Sequence, residues 1–160
     1  MSTSERADDL SAAWAAWADM LETRLTALAD GEQVVVVAAG AARKSVARPN
    51  FLFGLIPARY VDCAPTITLI RREDHLHGSL TGSESFGGPL PMSPQEDAAL
   101  KALSWRDPGS GFERTWLRYW PDDVALAPWP ASANLASCAD VVARTFHEVY
   151  AVGSPEEVLS

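Results

Sequence analysis

The run QVVVVAA, Gln33 to Ala39, constrains the fold more than any other stretch of this chain. Consecutive β-branched side chains lose rotamer freedom in a helix and pack well on a pleated surface, so the run is a strand. Its unbroken apolar character predicts burial on both faces, or nearly so. Just before it, Leu10, Trp14, Trp17, Leu21, Leu25 and Leu28 recur at spacings of four, three, four, four and three. That is one stripe of an amphipathic helix. Ser4 is the expected N-cap, and Asp8 and Asp9 suit the first turns through the helix dipole. Asp30-Gly31 ends the helix, with glycine free to take the left-handed C′ position.

The rest of the chain reads as short strands and two more helices. Gly40 to Pro49 is a basic connection carrying Arg43, Lys44 and Arg48. Phe51 to Ile56 is a second strand interrupted by Pro57, with Arg59 to Cys63 continuing it after a bulge. Thr66 to Arg71 and His75 to Thr81 form a hairpin around Glu73-Asp74. GSESFGGPLP is loop chemistry. SPQED then opens a short helix ending near Leu103, with Ser93 as N-cap, Pro94 at N1 and Glu96 completing a capping box. Asp107 to Gly111 is a loop. Arg114 to Trp120 is a strand stopped by Pro121-Asp122, and Val124 to Ala127 is a further short strand. The last helix starts near Ser132 to Asn134, repeats Leu135, Ala139, Val142, Phe146 and Val149, and ends at Gly153 and Pro155. Strands joined by short loops make an antiparallel sheet. The expected fold is α+β: about five antiparallel strands flanked by an N-terminal helix, a short middle helix and a long C-terminal helix.

The chain has 160 residues, 48% of them apolar, which predicts one globular domain over residues 1–160. Its net charge of −8 argues against a nucleic-acid partner and against docking on an anionic membrane. The opening MSTSERADDL has no apolar secretory core, and the most apolar run, Val34 to Ala42, is too short to span a bilayer. With two cysteines only, Cys63 and Cys138, the expectation is a cytoplasmic protein with reduced thiols. Charge is uneven: residues 1–32 carry net −5 and residues 43–72 net +5, which predicts that the first helix lies near the basic strand region.

Familiar catalytic patterns are missing. His75 and His77 share a strand face, but no third metal ligand accompanies them. Neither cysteine has an activating base beside it, and Cys138 falls near the apolar stripe of the last helix. GSLTG and GSESF place Leu80 and Glu84 where a nucleophile elbow has serine, and His147 belongs at the edge of the core. No glycine-rich phosphate cradle is present. Arg43, Lys44 and Arg48 offer an anion site, though such runs between strands are usually solvated. The expectation is a non-enzymatic protein with no cofactor and no metal.

The stretch LSWRDPGSGFERTWLRYWP, Leu103 to Pro121, holds three of the six tryptophans. On a strand, Trp116, Arg118 and Trp120 share one face, and Thr115, Leu117 and Tyr119 the other. Both faces carry bulk, so the sequence leaves open which one packs under the helices. Trp116, Arg118, Tyr119 and Trp120 are the candidate partner-binding residues, since Trp, Tyr and Arg dominate interface hot spots.

LPMSPQEDAALKALSW (Leu90 to Trp105) and ADVVARTFHEVYAV (Ala139 to Val152) carry a family resemblance. With the element order around them, they resemble the type III secretion chaperone-like fold, and more closely the bacterial YbjN and TY-Chap group. In that family a capped helix leads into Leu-Gly-Trp, and a tryptophan-rich strand precedes a C-terminal helix ending in Val-Tyr/Phe-Gly-Val. Here serine stands at 104 in place of the glycine, and the ending at Tyr150 to Gly153 also departs. The resemblance implies a protein or peptide client held against the sheet, with a homodimer as the expected assembly. The alternative is a small acidic neutralising protein, such as an immunity factor that binds a toxin.

Overall fold

The computed structural model describes residues 3–50, 54–109, 114–123, 129 and 132–159, with side chains from Ser11 onward except that of Arg48. The first helix, α1, spans Thr3–Thr26. Ser4 therefore falls inside the helix rather than capping it. Trp14, Trp17, Leu21, Leu25 and Leu28 are all buried, as their spacing requires. Each contributes about 1.5–3 kcal/mol of apolar burial. Gly31 takes a positive φ and turns the chain into β1, Gln33–Ala38.

Burial along β1 alternates instead of covering both faces: Val34, Val36 and Ala38 are buried, while Val35 is 38% exposed. The valine run sits in a one-sided antiparallel sheet, so only every second side chain reaches the core. The expected basic connection is itself a strand, β2, Arg43–Arg48, antiparallel to β3, Arg59–Cys63, in a separate two-stranded arm. Of the strand expected over Phe51 to Ile56, residues 51–53 lie outside the described residues. Gly54 and Leu55 form a turn, with Leu55 83% exposed. The strand expected at Val124 to Ala127 also lies outside the described residues.

The main sheet adds β4, Thr66–Arg72; β5, His75–Leu80; β6, Trp116–Trp120; and β7, Val158–Leu159. Its order is β6-β5-β4-β1-β7, antiparallel throughout. The middle helix α2, Pro94–Ala102, has the full capping box: Ser93 Oγ accepts from the Glu96 N–H, and the Glu96 carboxylate accepts from the Ser93 N–H. The last helix α3, Ser132–Arg144, continues into a π turn at Thr145–Val149. At that point the Thr145 hydroxyl donates to the Val141 carbonyl and accepts from the Trp105 indole, 3.0 Å away. This bond ties the residue that follows α2 to the C-terminal helix.

Val36, Ile67, Leu69, Leu76, Leu80, Trp116 and Trp120 all point from the sheet into one core with the buried faces of α1, α2 and α3. The opposite face of the same strands is only half-buried. The fold is thus a helical layer on one side of an antiparallel sheet, with the arm projecting from it.

Candidate functional site

The register settles which way β6 faces. Trp116 lies opposite Leu80, Arg118 opposite Gly78 and Trp120 opposite Leu76, and all three partners are on the core side. Trp116 is 0% and Trp120 3% exposed. Each ring meets another edge-on, Trp116 against Phe86 and Trp120 against Trp105, the arrangement favoured by aromatic quadrupoles. Gly78 is required under Trp120: a Cβ there would come within 2.8 Å of the indole and 3.3 Å of Leu69. Arg118 also belongs to this side. Its guanidinium lies 5.0 Å over the Trp120 ring and donates to the Leu103 carbonyl, and burial lowers its pKa. The four candidate binding residues are therefore divided: Trp116 and Trp120 are core, Arg118 ties α2 to the sheet, and Tyr119 alone faces away.

Tyr119 lies opposite His77, and the two rings stack at 4.8 Å with 14° between planes. They floor a groove of about 760 Å³ on the half-open face. Three separate segments build it: the turn after α1, the β4–β5 turn and the residues that follow β6. Asp30 Oδ1 accepts from the Glu73 N–H at 2.7 Å and so pins the β4–β5 turn, where Glu73 has φ 52°. His75 Nδ1 lies 2.7 Å from Asp74 Oδ1, and its Nε2 lies 3.0 Å from the Asp123 carbonyl. Both ring nitrogens face acceptors, so the protonated imidazole is favoured and the His75 pKa is raised, chiefly by Asp74. Asp30, Glu73, Asp74, Asp122 and Asp123 line the groove, against one guanidinium, Arg72. A smaller hollow, lined in part by Thr68, Ser79 and Thr115, continues along the same face.

Residues weighed for other chemistries are scattered. His75 and His77 do share the half-open face, but no group of three or more metal-ligating side chains occurs among the described residues. Cys138 is fully buried, which pushes its thiol pKa well up. His147 stands in the π turn and contacts the Trp14 ring at 5.6 Å. Two members of the basic run are paired: Arg43 with Glu96, while also donating to the Pro91 carbonyl, and Lys44 with Asp62 at 2.8 Å. Arg71 donates to the Leu28 carbonyl, in the turn that follows α1, at 2.6 Å. No helix among the described residues is long and apolar enough to cross a membrane.

The groove escaped the sequence because its parts come from three distant segments. The signal was nonetheless there, as two acidic pairs, Glu73-Asp74 and Asp122-Asp123, each following a strand.

The described residues thus form an α+β fold with a helical layer on one side of an antiparallel sheet and a groove on the other. Residues 7–160 match the family described as TY-Chap3, T3SS (YopN, CesT) and YbjN peptide-binding chaperone 3, and the chain belongs to that family. Neither a curated protein nor a solved structure matches it. The structure gives physical meaning to the two departures from the resembled pattern. Ser104 stands at φ 61° and Ala151 at φ 53°, both in the left-handed region that glycine occupies without strain. At both, a glycine position in the pattern is filled here by an L-residue at some conformational cost.

Proposed function

We propose that the protein is a non-enzymatic chaperone that holds a client segment against the half-open face of its sheet. The observation that carries the reading is the division of β6: its tryptophans complete the core, while Tyr119 is left on a grooved face in a member of a peptide-binding family. Leu117 and Tyr119, with His77 and Ser79 beside them on β5, form the proposed contact row. Client affinity would come from aromatic burial and from polar groups on the groove walls. Arg118 contributes indirectly, by holding the strand against α2.

The reading includes a homodimer in the cytoplasm. Exposed Val46, Tyr60 and Val61 on the arm, and two free cysteines, support those two parts. Light scattering on the purified protein is expected to give twice the chain mass. The neutralising-protein alternative gains nothing from the family.

Selection from a displayed library of twelve-residue peptides tests the binding claim. Selected peptides are expected to lose at least tenfold in affinity on Tyr119→Ala, with the melting temperature within a few degrees of wild type. His77→Ala provides a second probe of the same row. Selected peptides that bind both variants as tightly as wild type would overturn the reading.

A further inference from the structure

The groove has a sign, and the protein already shows what that sign attracts. Five carboxylates line it against one guanidinium and the His75 imidazole, so acid still predominates. Asp74 is engaged by His75, and Asp30 accepts one backbone N–H through Oδ1. Glu73, Asp122 and Asp123 remain on the walls, and among the described residues the one ion pair of these three is a long one, Arg106 to Asp122 at 3.6 Å.

Arg106 is the informative residue. It exchanges two backbone hydrogen bonds with Leu117, at 2.8 and 3.0 Å, and so lies as a one-residue extension along the outer edge of β6. From there its side chain reaches two residues of the groove lining, Tyr119 and Asp122. The guanidinium sits 5.5 Å over the Tyr119 ring and faces the Asp122 carboxylate. An extended residue on the sheet edge thus places a cation between an aromatic ring and an acid, the pairing that recognises guanidinium and ammonium groups elsewhere.

We infer that the client segment is cationic: an extended peptide with lysine or arginine at alternate positions, whose charged side chains enter the groove beside Arg106. This deepens the chaperone reading above and rests on it. Charge complementarity selects the occupant. An acidic or neutral segment would meet uncompensated carboxylates, and an anionic ligand would be repelled. The half-exposed walls keep most of the effect electrostatic, so salt weakens it over a screening length of about 8–10 Å.

Fluorescence anisotropy with three labelled twelve-residue peptides tests the inference: Arg alternating with Thr, Gln alternating with Thr, and Glu alternating with Thr. The arginine peptide is expected to bind about tenfold or more tighter than the glutamine peptide, and the glutamate peptide more weakly still. Raising NaCl from 50 to 500 mM should erase most of that preference. Glu73→Gln combined with Asp123→Asn should remove several-fold of arginine-peptide affinity. Asp19→Asn combined with Asp140→Asn removes two exposed charges from the helices and should leave it unchanged, which separates the groove from the overall charge. Equal binding of the arginine and glutamine peptides, or an equal loss from the helix pair, overturns the cationic assignment. If Tyr119→Ala still weakens the bound peptides in that case, the sheet-face reading stands without it. If Tyr119→Ala weakens none of them, or no peptide binds, both fail.

Discussion

The two faces of β6 differ more than their sequences suggest. Trp116, Arg118 and Trp120 look like an interface cluster, yet the register turns them inward against Leu80, Gly78 and Leu76. Leu117 and Tyr119 lie half-buried on the opposite face, where Tyr119 lines the acidic groove. Aromatic content alone therefore does not show which face of a strand is left open. The side of the sheet on which the helices lie decides whether a tryptophan is glue or contact.

The sharpest way to break this comparison is to truncate one residue on each face. Trp116→Ala should cost about 3–5 kcal/mol in urea unfolding, because it empties a fully buried site. Tyr119→Ala should cost about 1 kcal/mol or less while removing client binding. A second pair sits one strand away. Gly78→Ala should cost about 1–3 kcal/mol, since its Cβ would run into Trp120. Its neighbour Ser79→Ala, on the half-open face, should stay within about 0.5 kcal/mol.

A third test concerns the attachment of α2 to the arm. The Arg43 guanidinium beside it holds the Glu96 carboxyl down at about 2. The folded pKa is depressed, so the stabilisation is present above the ordinary carboxylate range and disappears as pH falls towards 2. Glu96→Gln should be about 2 kcal/mol less stable at pH 7, through loss of the ion pair and part of the capping box. The gap between the two proteins should close between about pH 5 and pH 2, as read by urea titrations at each pH.

The smallest expected effects run the other way. Ser104→Gly and Ala151→Gly should each stabilise by about 0.5–1 kcal/mol, because relief of the left-handed strain exceeds the added chain entropy of glycine. Neither position lines the groove, so peptide affinity should not change.

What could be read from the residues was what local chemistry determines. Ser93 and Glu96 announce the capped helix because both partners of the box lie within four residues. The α1 stripe and the Glu73-Asp74 hairpin are equally local. Half of the arm is legible: RYVDC reads as a strand and is β3, whereas RKSVAR reads as a basic connection because its largely exposed side chains carry no apolar alternation to reveal β2. The valine run was over-read for the opposite reason. Valine signals a strand but not how many of its faces are covered, and among the described residues no second layer covers Val35, which is exposed. The groove depends on Asp30, Glu73 and Asp122 meeting across nearly a hundred residues of chain, and no local pattern encodes that meeting.

Amide shift mapping of the protein with and without a selected peptide tests the central claim most directly. Perturbations are expected to concentrate at Thr68, Ile70, His77, Ser79, Leu117 and Tyr119, with Trp14, Trp17 and α3 quiet. Perturbations concentrated on α1 and α3, or on the arm strands β2 and β3, with the Tyr119 row unmoved, would contradict it.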